Sequence, residues 1–133
     1  AAPRRTIERS HSLRPDFSIL IYPVISFSDS LTHMGSRINL IGKDALAGLI
    51  QHYSNELQVT KQTPPAFLVH AADDDAVPVG NSIAYYKAML KYGIYSEMLL
   101  YPHGNHGFGM NNPTTADKWM DNLKNWMIAN KWL

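Results

Sequence analysis

Three short, nearly unbroken apolar runs constrain this chain most: "FSILIYPV" at 17–24, "AFLVHAA" at 66–72 and "SEMLLYP" at 96–102. A strand with one wet face alternates apolar and polar residues, because successive side chains point to opposite faces. These runs do not alternate. They read as strands covered on both sides, the pattern of a parallel sheet with helices above and below it.

The segments between them carry the helical period. In "DALAGLIQHY", Leu46, Leu49, Ile50 and Tyr53 fall at i, i+3, i+4 and i+7, with Asp44 as the expected N-cap. "NSIAYYKAMLKYG" opens on capping residues Asn81 and Ser82, is expected to bury Ile83, Tyr86 and Leu90 on one side, and stops at Gly93, a suitable C′ residue. After Pro113, Thr114 and Asp117 form a capping-box pattern. The apolar face that follows runs through Ala116, Trp119, Met120, Leu123 and Trp126 or Met127. The fold class is therefore α/β: three parallel strands with flanking helices. Residues 25–65 form a long helical excursion or lid, and residues 1–13 read as a poorly placed tail or helix. The first strand has an apolar edge with no neighbour assigned to it, a pairing liability that suggests the end of a wider doubly wound sheet.

Twelve basic against eleven acidic residues leave a net charge of +1, which argues against nucleic-acid or membrane-surface binding driven by charge. "PRRTIER" reads as a solvated tail. No cysteine is present, so disulfides, thiolate metal sites and a cysteine nucleophile are excluded. No apolar stretch is long enough to span a bilayer, and no signal-peptide pattern is read, which leaves the compartment open.

Ligands of open parallel sheets bind beyond the carboxyl ends of the strands. Two such ends are polar here: "HAADDDAVP" after the second strand and "HGNHGFG" after the third. Parallel strands bring both to one edge of the sheet, where an Asp of one loop can reach a His of the other. A carboxylate bonded to Nδ1–H fixes the imidazole tautomer and leaves Nε2 to accept a proton.

"RPDFSILIYPVISF", "SNELQVTKQTPPAFLVHAADDDAVPVGNSIAYYKAML" and "HGNHGFG" closely resemble the C-terminal part of α/β-hydrolase esterases and lipases, in the acetyl-xylan-esterase-like and dienelactone-hydrolase-like branch. The resemblance covers about residues 14–133, the C-terminal portion of one domain. It implies that Asp74, four residues after His70 and four before Pro78, is the triad acid, with Asp73 as the rival. It implies that His106, which precedes Gly107 and Phe108, is the base. Asp73 and Asp75 are then expected to point elsewhere, His103 to be structural or replaceable, and His70 to be a hydrogen-bonded core residue. The branch places its nucleophilic serine in Gly-x-Ser-x-Gly, and this sequence contains no such motif. Ser36 reads as a structural loop serine and Ser82 as a helix cap.

The resemblance implies a serine hydrolase of carboxylic esters that needs no cofactor or metal. Expected substrates are small-molecule or polysaccharide esters, including acetyl groups on plant polysaccharide; a lipase or peptidase shares the same motifs. The alternative is an inactive half-domain that serves as a binding or assembly module. In either case the sheet edge is expected to associate, as a homo-oligomer or with a missing N-terminal half. Zinc held by His103, His106 and an Asp is a minor alternative, since structural zinc generally takes four ligands.

Overall fold

The structure is a computed structural model that describes residues 12–133; the tail and the basic cluster expected at the N-terminus therefore lie almost wholly outside the described residues. Strands β1 (Ser18–Ile21), β2 (Ala66–Ala71) and β3 (Glu97–Tyr101) form one parallel sheet in the order β1-β2-β3. Between β1 and β2 run α1 (Met34–Ile41), α2 (Ala47–His52) and a 3-10 turn at Asn55–Leu57. Helix α3 (Gly80–Lys91) joins β2 to β3, and α4 (Trp119–Ala129) closes the chain.

Every residue of β2 is buried, as its apolar run, broken only by His70, suggests. Its side chains divide by the period of two. Phe67, Val69 and Ala71 face Trp119, Leu123 and Trp126 of α4, while Ala66 and Leu68 face Met89 of α3. Full burial of side chains such as Phe67, Leu68 and Val69 stabilises the fold by about 1.5–3 kcal/mol each. His70 also lies on the α3 side of β2, and this position turns out to matter for the site.

The boundaries differ from the sequence reading in four places. The first strand ends at Ile21, because Tyr22 takes a positive φ of 37° and Pro23 has no N–H to continue the ladder. Leu46, not Asp44, is the N-cap of α2, and its side chain forms no capping bond. The apolar stripe of α2 is not covered: Leu46, Leu49 and Tyr53 are exposed, and neither α1 nor α2 buries a residue among those described. The last helix starts at Trp119, five residues after Thr114, because Thr114 is engaged elsewhere: its hydroxyl donates to the His103 carbonyl at 3.0 Å and lies 2.9 Å from Asn112 Oδ1.

Helix α3 corrects the capping expectation. It begins at Gly80 with Val79 as N-cap, so Asn81 and Ser82 lie inside its first turn and are fully buried. Asn81 Oδ1 accepts from the N–H groups of Ile25 and Ser26 at 2.9 and 2.8 Å, which pins the segment after β1. Met89 faces the core in place of Leu90, and Gly93 follows the helix at φ 67° as a C′ residue should. No helix among the described residues is long and apolar enough to cross a membrane.

Candidate active site

The carboxyl ends of β2 and β3 lie side by side, with His70 opposite Leu100 and Ala71 opposite Tyr101 in the register. The loop after β2 therefore meets the loop after β3. Asp74 and His106 meet there, Asp74 Oδ2 lying 2.8 Å from His106 Nδ1.

Asp74 is held on all sides. Oδ1 accepts the N–H groups of Ala76 at 3.0 Å and Val77 at 2.8 Å, an Asx-type turn made by its own loop. Oδ2 faces His106 Nδ1 and, at 3.1 Å, His70 Nε2. The side chain has no solvent exposure. Burial by itself would raise its pKa, but the donors of Val77, His106 and Ala76 outweigh that and hold the carboxyl below its ordinary value. Asp74 is thus a carboxylate at neutral pH, and an acceptor only. The facing Nδ1 of His106 must carry the hydrogen, and in the neutral imidazole the lone pair then sits on Nε2.

His106 stands at the border of solvent, its side chain about one-third exposed. The Tyr22 ring packs edge-on against its imidazole with centroids 4.5 Å apart. Phe108 supports Tyr22 at 5.0 Å, and Tyr101 supports Phe108 at 5.8 Å. This aromatic row fixes one side of the imidazole without taking a ring nitrogen.

The His loop has its own fastenings. Asp73 Oδ1 accepts the N–H of Asn105 at 2.9 Å, and Oδ2 lies 3.3 Å from His103 Nδ1. The Asn105 N–H is the main reason the Asp73 carboxyl lies below its usual range. Asn105 has φ 53° and Gly104 has φ 151°. A Cβ on Gly104 would come within 2.7 Å of Asn112 Nδ2, which donates to the His103 carbonyl. Asn112 is buried beneath the loop and supports it.

The structure thus joins Asp74 with His106 and separates Asp73 from that ring. His103 and His106 each face a different aspartate, and among the described residues no group of three or more His, Asp or Glu side chains is arranged to hold a metal. His70 is a fully buried, hydrogen-bonded core residue. Ser36 lies in the first turn of α1, not in a loop, and its hydroxyl is 2.9 Å from His33 Nδ1. Ser82 is 2.8 Å from His70 Nδ1. The sequence reading missed Tyr22, Asn105 and Asn112. Only the Tyr22-Pro23 step at a strand end hinted at the first; the other two depend on how the loops close in space.

The prolyl oligopeptidase family model matches residues 31–131, which include both aspartates and both loop histidines. The chain belongs to the prolyl oligopeptidase family. The chain is 41% identical over 122 residues to an acetylxylan esterase of Xylanibacter ruminicola, covering 88% of this chain and 25% of that protein. An acetyl ester-xyloside bifunctional hydrolase from Caldicellulosiruptor lactoaceticus superposes with a TM-score of 0.86 at 35% identity, over 90% of this chain and 44% of that one. A carboxylesterase from Lactobacillus plantarum superposes at 0.71 with 26% identity, over 89% and 46%. The fold is that of the α/β hydrolases, and the chain spans from a quarter to less than half the length of these relatives.

Proposed function

We propose that this chain carries the acid and the base of a serine ester hydrolase, with Asp74 orienting His106 and His106 Nε2 as the general base. The observation that carries this reading is the 2.8 Å contact between a buried carboxylate and the Nδ1 of a solvent-bordering histidine at the carboxyl edge of a parallel sheet. In this reading a serine from sequence outside these residues lies against Nε2. His106 takes its proton as the hydroxyl attacks an ester carbonyl. The base then returns the proton to the leaving alcohol, and a water activated by the same histidine hydrolyses the acyl-enzyme. Asp74 stabilises the imidazolium formed in each half-reaction without itself taking the proton. Acetyl esters of plant polysaccharide are the favoured substrates, on the strength of the relatives' names.

The partner in this reading is the segment that bears the serine, and the available edge of β1 is where its strand joins the sheet. β1 pairs with β2 on one side only among the described residues, and Ile19 is exposed on it. Hydrolysis of p-nitrophenyl acetate by the 133-residue chain, beside His106→Ala and Asp74→Ala versions, tests this. Rates near background in all three are expected, since removing the nucleophile from such a triad costs about 10⁶ in kcat. Turnover abolished by both substitutions would place the nucleophile inside this chain and overturn the assignment of the serine.

A further inference from the structure

His70 is fully buried, and both of its ring nitrogens are engaged. Nε2 lies 3.0 Å from the Val77 carbonyl oxygen and 3.1 Å from Asp74 Oδ2. Neither of these atoms can donate, so Nε2 bears the hydrogen and is shared between them. Nδ1 then presents a lone pair, and the Ser82 hydroxyl 2.8 Å away must donate to it. No other arrangement of hydrogens on a neutral ring avoids setting lone pair against lone pair.

The consequence appears at Asp74. An ionised carboxylate offers about four acceptor sites. Asp74 has four donors: Ala76 and Val77 N–H on Oδ1, and His70 Nε2–H with His106 Nδ1–H on Oδ2. Every lone pair is used, and the one left for His106 is set by the other three.

We propose that His70 and Ser82 are positioning residues for the Asp74–His106 pair, linked as Ser82 O–H to His70 Nδ1, His70 Nε2–H to Asp74, and Asp74 to His106 Nδ1–H. The hydroxyl orients the imidazole from α3, and the imidazole orients the carboxylate from β2. Burial lowers the pKa of His70, which keeps the ring neutral and this hydrogen order intact. The other titratable groups around the relay are Asp73 and Asp75 beside Asp74 in sequence, His103 on the His loop and Tyr22 against the His106 ring. The value of the relay to catalysis rests on the serine hydrolase reading above; its existence does not.

The test is nuclear magnetic resonance on the 133-residue chain, with long-range proton–nitrogen correlation of the imidazoles and carbon-13 titration of the Asp74 carboxyl. The wild type is expected to show His70 as the neutral Nε2–H tautomer with Nδ1 accepting. Ser82→Ala moves the Nδ1 resonance toward that of an unbonded lone pair. Losing a donor to the charged form raises a carboxyl pKa, so His70→Leu moves the Asp74 titration to higher pH. His70→Gln, whose amide restores a donor, brings part of that shift back. A packing role alone would not separate Leu from Gln in this titration. His70 as the Nδ1–H tautomer or as imidazolium at neutral pH overturns the proposal, and so does an unmoved Nδ1 resonance in Ser82→Ala. An Asp74 titration that His70→Leu leaves in place also overturns it. If His70→Leu does not fold, the wild-type tautomer and Ser82→Ala decide. None of these measurements involves ester turnover, so a relay without an esterase and an esterase without a relay are distinguishable.

Discussion

Asp73 and Asp74, adjacent in sequence, hold the same loop at two points: Asp73 takes the backbone N–H of Asn105 at 2.9 Å, and Asp74 takes the imidazole of His106 at 2.8 Å. One carboxylate therefore sets the loop and the other sets the ring. The pairing also explains how three consecutive aspartates avoid competing for one histidine. Asp73 turns toward Asn105 and His103, while Asp75 is exposed.

Asp73→Ala is expected to leave the fold intact, because this clasp lies at the surface. Joined to the serine segment that the proposed function requires, it is expected to lower kcat about tenfold by letting the base drift from its productive geometry. Thermal melts beside steady-state kinetics check this. A variant with full kcat would show that Asp74 positions His106 unaided.

Tyr22 combines a positive φ of 37° with a ring set against His106. A non-glycine residue in that region is strained by about 1–3 kcal/mol, and the aromatic row is what holds it. Tyr22→Phe should retain both stability and kcat, since no hydrogen bond of the hydroxyl is part of the row. Tyr22→Gly should relieve the backbone and yet lower kcat, because the ring that flanks the imidazole is lost. Equal kcat in the Gly variant and the wild type would remove Tyr22 from the site.

The pH dependence of stability follows from two lowered pKa values. His70 lies below its ordinary 6.5, so as pH falls beneath 6.5 the unfolded chain takes up a proton that the folded chain refuses. Its contribution is fully present above 6.5 and declines below it. Asp74 lies below its ordinary 3.8; its contribution is present above that value and is lost as pH falls through the lower folded one. Melting temperatures should thus fall in two stages on acidification, and His70→Gln should remove the first. A Gln variant whose melting temperature tracks the wild type across the first stage would refute the buried neutral histidine.

Gly104→Ala should cost about 1–3 kcal/mol, since φ 151° suits glycine and the new Cβ would crowd Asn112 Nδ2. Chemical denaturation measures it. An unchanged midpoint would mean that the loop shifts freely, contrary to its hydrogen bonds to Asn112 and Asp73.

The sheet was legible because parallel strands leave a nearly continuous apolar signal, and β2 and β3 lie within one residue of the runs that marked them. Only β2 is covered on both sides, while β1 and β3 each expose a residue, Ile19 and Leu100. That Asp74 would be the aspartate to meet His106 was implied only by the resemblance; the residues alone allowed any of three aspartates. The helix starts were misread for a physical reason. Asn81, Ser82 and Thr114 look like caps in sequence, but each gives its polar atoms to a distant partner: the segment after β1, His70, or the His loop. The outward stripe of α2 was misread because helical period reports that a face will be covered without reporting by what. The hydrogen order through His70 was out of reach, since it depends on a strand residue meeting a helix residue across the layer between them.

The most direct measurement is ester hydrolysis by a protein in which residues 14–133 are joined to the Gly-x-Ser-x-Gly segment that the proposed function requires, with His106→Ala and Asp74→Asn compared under saturating p-nitrophenyl acetate. The account predicts a fall in kcat of about 10⁴ or more for each, with KM little changed, and a double variant no worse than the single ones. Wild-type kcat in either variant would contradict the assignment of Asp74 and His106 as acid and base.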